Sequence, residues 1–286
     1  MTTDPGSTAP APEASAEQAT RQALARFVAP RHIGEIDSTN RYLADLAREG
    51  APEGTAVLAD RQTAGRGRLG RRWLDAEGGS VLCSVLFRPA ADVLAADRWH
   101  LLGWVVALAG ADACADAGGL DPQSVEVRCK WPNDLVIGER KVAGVLAEVA
   151  LAPGSAPSPA VVVGIGVNCN WPPGWPPAGD PDAAAVARRA VSLDRAAGQP
   201  VDRQAVAERL LAQVANRYGR LLAGGAAALG AEYRRRSATI GRDVRVELLD
   251  ETFAGRAMDV DDGGRLLVDV GVCTRVVDAG DVVHLR

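Results

Sequence analysis

Near residue 240 the pattern of the chain changes, and that change limits what it can fold into. Up to this point apolar strand-like runs alternate with helix-like segments. Beyond it only short strands remain, with turns at 250–251 and 261–264. This order reads as an α+β domain over 21–236 followed by a small barrel-like β unit over 237–286. The 286 residues, 47% of them hydrophobic, can bury one sizeable core and one small one. Residues 1–20, rich in Ala, Pro, Ser and Thr and without apolar periodicity, read as a disordered tail.

Within the larger unit, Ser38-Thr39-Asn40 precedes Tyr42, Leu43, Leu46 and Ala47, which share one helical face; Gly50 follows as a stop. A short capped helix is predicted there. Strands are predicted over 55–60, 80–87, 124–130 and 160–167, and an apolar helix with Trp99 and Trp104 over 97–117. Residues 134–137 and 142–149 read as a hairpin turning at Gly138-Glu139. Residues 63–72 and the Pro/Gly-rich stretch 171–182 read as loops, and 202–223 and 226–236 as helices.

Composition removes several function classes. The net charge is −4 and the basic residues are dispersed, so no nucleic-acid partner is expected. No apolar run reaches the roughly 18 residues of a membrane span, and the N-terminus lacks the basic and apolar regions of an export signal. The five cysteines are odd in number and none is spaced as CxxC. Neither a disulfide framework nor a zinc site is expected; a reducing cytoplasm is, with each cysteine a buried small hydrophobe. His32, His100 and His284 are scattered, which argues against a histidine-based metal site or triad. Of the 32 basic residues only Lys130 and Lys141 are lysine. Codon bias accounts for the arginines. Two lysines retained eleven positions apart point to a site, because a compact ammonium is not freely replaced by a planar fork.

Four motifs carry chemistry. In Gly65-Arg66-Gly67-Arg68-Leu69-Gly70-Arg71-Arg72-Trp73, three glycines admit close backbone approach and four arginines offer forks to phosphate or carboxylate. Such a loop repels itself, and is expected to order as a lid only when an anion neutralises it. It also reads as a basic RNA-binding or solvated segment. Lys130-Trp131-Pro132-Asn133-Asp134, followed by Lys141-Val142-Ala143-Gly144, puts two cations near one carboxylate. That suits a magnesium nucleotide, or an ordinary surface ion pair. Gly164-Ile165-Gly166-Val167-Asn168 ends an apolar strand, but lacks the third glycine and following helix of a dinucleotide fingerprint. Ser38-Thr39-Asn40 caps a helix or bonds a small polar ring.

Taken in this order, the motifs resemble the biotin–protein ligase family, whose pattern runs STN, Q-x-AGRGRxGRxW, KWPND, RKxxGxLxE and GxGxN. They stand here as Ser38 to Asn40, Gln62 to Trp73, Lys130 to Asp134, Arg140 to Glu148 and Gly164 to Asn168, and the likeness extends over about 30–286. The resemblance implies a central mixed sheet flanked by helices, like class II synthetases, and an SH3-like C-terminal barrel. It implies ATP and biotin as substrates with Mg2+, biotinyl-5′-adenylate as intermediate, and transfer to a lysine of a biotin carboxyl carrier domain in a biotin-dependent carboxylase.

Carried over residue by residue, the resemblance assigns the biotin site to Ser38, Thr39, Asn40, Gln62, Arg66, Gly67, Arg68, Lys141 and Gly144. It assigns ATP to Arg66, Arg68, Arg71, Lys130 and Asn168, the last against adenine. Lys141, Arg68, Lys130 and Asp134 are the catalytic residues it implies, with Asp134 on the metal or the incoming amine. Some relatives carry an N-terminal winged helix and repress transcription. About 30 residues precede the matched region here, too few for that fold, so no DNA partner is expected. Where some relatives stack Trp on adenine this chain has Ala190. Lipoate or octanoate enzymes of the same superfamily and a non-catalytic binding module are the alternatives. An apolar edge over Val81–Phe87 is expected to pair with the acceptor or with a second copy in a homodimer.

Overall fold

A computed structural model describes residues 27, 29–121, 123, 125–151 and 159–285; the tail expected over 1–20 lies outside them. Its larger sheet contains β1 (Arg31–Ile36), β2 (Ala56–Gln62), β3 (Ser80–Phe87), β4 (Val127–Lys130), β5 (Asp134–Ile137), β6 (Arg140–Ala150) and β7 (Ala160–Asn168). The strand order is β1-β2-β3-β7-β6-β5-β4. The β1–β2 pair is parallel and the others are antiparallel. Helices α1 (Thr39–Arg48) and α2 (His100–Ala117) cover its two faces.

This two-sided cover explains why β3 and β7 are buried almost continuously and mostly apolar rather than alternating. In β7, Val161, Val163, Ile165 and Val167 join the core around α2, while Ala160 and Val162 join the core around α1. The next even positions are Gly164 and Gly166. On the α1 side the floor therefore loses its side chains where β7 ends, and this is where the site opens.

Helices α3 (Ala183–Arg189), α4 (Leu193–Ala197), α5 (Arg203–Leu222) and α6 (Ala226–Arg235) follow. Arg217 of α5 meets Asp112 of α2 at 2.5 Å and Glu232 of α6 at 2.7 Å, and Arg236 meets Asp112 at 2.6 Å, joining three helices through one half-buried charge cluster. Strands β8 (Asp243–Glu247), β9 (Thr252–Val260), β10 (Leu266–Asp269), β11 (Thr274–Val277) and β12 (Asp281–His284) form an antiparallel sheet ordered β11-β10-β9-β8-β12. Its Val244, Val246, Ala257 and Leu266 belong to the same core as α2.

Several expectations need correction. Val81–Phe87 is not an edge: β3 bonds β2 on one side and β7 on the other, so its backbone is already paired. Cys273 is exposed, whereas the other four cysteines are buried, because it lies in the β10–β11 turn of a thin sheet. Strand β1, missed in the sequence, is a mostly exposed edge with no apolar run to mark it. Helices α3 and α4, also missed, are only 7 and 5 residues long. No helix among the described residues is long and apolar enough to cross a membrane.

Candidate active site

The register of the sheet lines up the site. Lys130 on β4 pairs with Asp134 on β5, Asp134 with Gly144 on β6, and Gly144 with Gly166 on β7. Residues directly opposite one another share a face about 5 Å apart, so the four form one row across the sheet. Two of the four lack side chains, and Trp73 lies over the gap. A Cβ on Gly166 would stand 2.5 Å from the Trp73 ring, and one on Gly144 would stand 3.2 Å from it. Asn133 fastens the turn between Lys130 and Asp134 to β6: its amide donates to Val145 O at 2.7 Å, and Val145 N–H donates to Asn133 O at 2.8 Å.

Beside this row, a pocket is walled by the first turn of α1. Ser38 caps the helix, accepting from Arg41 N–H, which turns Thr39 and Asn40 inward; all three are buried. Gln62 Oε1 accepts from Thr39 N–H at 2.8 Å and lies 3.1 Å from the Thr39 hydroxyl. Ser84 Oγ lies 2.8 Å from Thr39 Oγ1 and 2.6 Å from Asn40 Oδ1. Two hydroxyl protons cannot satisfy three such contacts, so the cluster can redistribute its donors around a polar ring. Gly164 is required here: a Cβ would stand 2.1 Å from Asn40 Oδ1. Asp75, behind Gln62, accepts from Gln62 N–H at 3.4 Å, and burial pushes its carboxyl up to about 6.

The arginine loop closes over the pocket as a narrow hairpin. Gly67 N–H donates to Arg71 O at 2.6 Å and Trp73 N–H to Gly65 O at 2.9 Å. Leu69 at its tip has φ 55°, the one non-glycine positive φ among the described residues. The self-repulsion expected of this loop is offset by carboxylates from distant segments. Arg66 bonds Glu148 at 2.7 Å, Arg71 pairs with Asp281, and Arg72 reaches Asp180 at 3.5 Å. The same Glu148 oxygen accepts from Asn40 Nδ2 at 2.8 Å, which links pocket wall to lid. Arg68 is the exception: its Nη1 is buried without a partner among the described residues. Burial lowers its pKa, with Asp134 opposing and Arg71 assisting.

Lys141 Nζ lies 2.6 Å from Asp134 Oδ1 and 5.4 Å from the centre of the Trp73 ring. Its backbone carbonyl accepts from Val191 N–H at 2.9 Å, and Ala190 stands beside it. The Lys130 ammonium has no carboxylate within salt-bridge distance among the described residues. Burial lowers its pKa, Asp134 and Glu139 oppose this, and Lys141 and Arg189 add to it. The site thus pairs Lys141, Arg66, Arg71 and Arg72 with carboxylates and leaves Lys130 and Arg68 seeking an anion.

The structure brings Ser38, Thr39, Asn40, Gln62, Arg66 and Gly144 together around one pocket, with Gly67, Arg68 and Arg71 in the adjoining lid cavity. Asn168 is 4% exposed, and its amide donates to Val191 O at 3.2 Å, tying β7 to the backbone beside Lys141. Trp171 is buried with the Arg195 guanidinium 5.0 Å from its ring, and Trp175 lines a separate cavity with Arg72 and Asp75. Trp73, Ser84 and Glu148 had no assigned role in the sequence. Trp73 and Glu148 stand within quoted motifs, whereas Ser84 reads only as part of an apolar strand.

Comparison with known proteins gives the family. Residues 33–168 match the Biotin/lipoate A/B protein ligase family, and residues 239–285 match the Biotin protein ligase C terminal domain. The biotin–[acetyl-CoA-carboxylase] ligase of Mycobacterium tuberculosis is 40% identical over 256 residues, covering 89% of this chain and 88% of that protein. The enzyme of the same description from Paracoccus denitrificans is 34% identical over 87% of this chain and 98% of its own length. Among solved structures, the biotin protein ligase from Aquifex aeolicus in complex with biotin and ATP superposes with TM-score 0.72 at 26% identity, covering 91% of this chain and all of that one. By these matches over most of its length, the chain belongs to the biotin protein ligase family.

Proposed function

We propose that the chain activates biotin with ATP and transfers the biotinyl group to a lysine of a biotin carboxyl carrier domain in a carboxylase. The observation that carries this reading is the row Lys130–Asp134–Gly144–Gly166, set between a polar pocket and an arginine lid. The relatives named above act on acetyl-CoA carboxylase or bind biotin and ATP, which supports it. A cytoplasmic setting fits the same reading.

In the first step a biotin carboxylate oxygen attacks the α-phosphorus of ATP, pyrophosphate leaves, and biotinyl-5′-AMP forms. Thr39, Gln62 and Asn40 orient the biotin ring, and its chain runs beside the Trp73 ring that covers Gly144 and Gly166, toward Lys141. Two anions must approach each other, so fixed positive charge dominates catalysis. Lys141 gives up its bond to Asp134 and moves to the carboxylate and α-phosphate. Arg68 supplies the second charge, Lys130 and Arg71 meet the outer phosphates, and Asn168 holds the wall where adenine enters. In the second step the acceptor amine attacks the acyl carbon, AMP leaves, and an amide forms with loss of one amine proton. Arg66 and Gly67, held down by Glu148, exclude water that would hydrolyse the adenylate.

Magnesium fits this donor set. Mg2+ bound through nucleotide phosphates needs only one or two protein carboxylates, and Asp134 is one that Lys141 frees when it turns to the phosphate. The ion would neutralise phosphate charge there. The test is pyrophosphate release with MgATP and biotin, octanoate or lipoate in turn. Release with biotin alone supports the assignment; release with a fatty acid instead, or with none, overturns it.

A further inference from the structure

We propose that His284 is a positioning residue for Lys130, fixing through Thr239 the backbone that carries this lysine. The inference rests on the adenylation reading above. His284 ends β12, and its side chain is only 5% exposed. Its Nδ1 lies 3.2 Å from Glu139 Oε2, and its Nε2 lies 3.2 Å from Thr239 Oγ1. The same Thr239 oxygen accepts from Trp131 N–H at 3.1 Å, one residue beyond Lys130. Arg242 holds the other Glu139 oxygen at 2.8 Å.

An ionised Glu139 can only accept, so the neutral imidazole carries its proton on Nδ1, and the Thr239 hydroxyl, whose oxygen accepts from Trp131, gives its own proton to His284 Nε2. Nε2 is then bare, and Nδ1–H donates to Glu139. The neutral imidazole therefore serves every contact at once. A second proton would reverse this contact, with Thr239 accepting from both Nε2–H and Trp131 and its own proton turned away, and would add a positive charge facing Lys130 and Arg242 that Glu139 alone offsets. Burial and Lys130 both lower the pKa of His284, while Glu139 raises it. Between its lowered pKa and the ordinary value of about 6.5, the folded protein binds fewer protons here than the unfolded chain. The contribution to stability is thus present above that range and lost as pH falls through it. The Trp131 indole donates to Gly264 O at 2.9 Å, in the turn between β9 and β10, so the turn that carries Lys130 is held at two points by the C-terminal segment, here and at Thr239 ahead of β8.

The test measures kcat and KM for MgATP by pyrophosphate release from acid to neutral pH, with biotin affinity measured separately by calorimetry. Two variants are used: His284→Phe, which removes donor and acceptor, and His284→Gln, which keeps both without titrating. The expected result is an acid limb in kcat/KM for ATP in the parent, on the acid side of the ordinary histidine value of about 6.5. His284→Phe raises KM for ATP about tenfold and leaves biotin affinity unchanged. His284→Gln restores KM and removes the limb. Asp75 also titrates near this range but sits behind Gln62, so its protonation shows in biotin affinity instead. An acid limb kept in His284→Gln, or a parent-like KM for ATP in His284→Phe, overturns the inference. Should His284→Phe not fold, the limb in His284→Gln decides alone. A parent protein that releases no pyrophosphate with biotin overturns the adenylation reading itself.

Discussion

At the scale of single residues, the account rests on where positive charge is fixed and where side chains are missing. Replacing Lys141 by Ala removes the cation that must turn from Asp134 to the reacting oxygens. Pyrophosphate release in a biotin-dependent stopped-flow assay is expected to fall about 10²- to 10³-fold, the usual cost of losing one preorganised charge-stabilising group. Gly164→Ala acts differently: its Cβ meets Asn40 Oδ1 rather than a flexible tip, so Asn40 must move. Biotin affinity is expected to drop about tenfold, or 1.4 kcal/mol, by calorimetry, while KM for ATP changes little. A Gly164→Ala protein with parent-like biotin affinity would contradict the placement of the ring. The motifs named most of these residues, but not Glu148 as the partner of both Asn40 and Arg66. Arg66 and Glu148 lie 82 positions apart, and no local spacing reveals a pair that only the folding of the loop onto β6 creates.

At the scale of elements, the lid depends on carboxylates brought to it by other strands. Glu148→Gln keeps an acceptor for Asn40 and loses the charge that holds Arg66. The expected outcome is unchanged pyrophosphate release with increased escape of adenylate, read as biotin appearing on lysines of a bystander protein. Parent-level bystander labelling would show that Arg66 is held by something else. The elements themselves were legible where burial is strong: α1, β3, α2 and β7 stand within a few residues of where periodicity put them. Strand β1 escaped because an exposed edge has little hydrophobic pattern, and α3 and α4 because helices of 7 and 5 residues barely complete a period. The edge expected at Val81–Phe87 failed for a related reason: a continuous apolar run marks a strand covered on both faces, which is a central one.

At the scale of the whole molecule, two sheets share one core, and the Lys130 turn is seated between them. The break in pattern near residue 240 was visible in the sequence; the contacts across it were not. The helical layer that supports both sheets is joined by Arg217, Asp112, Glu232 and Arg236. Arg217→Met leaves Asp112 and Glu232 half-buried with one fewer partner, and is expected to cost about 3 kcal/mol in urea unfolding without changing the pocket. A loss within about 0.5 kcal/mol, the range of ordinary surface substitutions, would show the cluster to be incidental. The central claim, biotin transfer to a protein lysine, is tested most directly by intact-mass spectrometry of a purified biotin carboxyl carrier domain incubated with this protein, MgATP and biotin. The account predicts a single added biotinyl group on one lysine, absent without ATP and formed about 10²- to 10³-fold more slowly with Lys141→Ala; an unmodified carrier domain alongside active pyrophosphate release would contradict it.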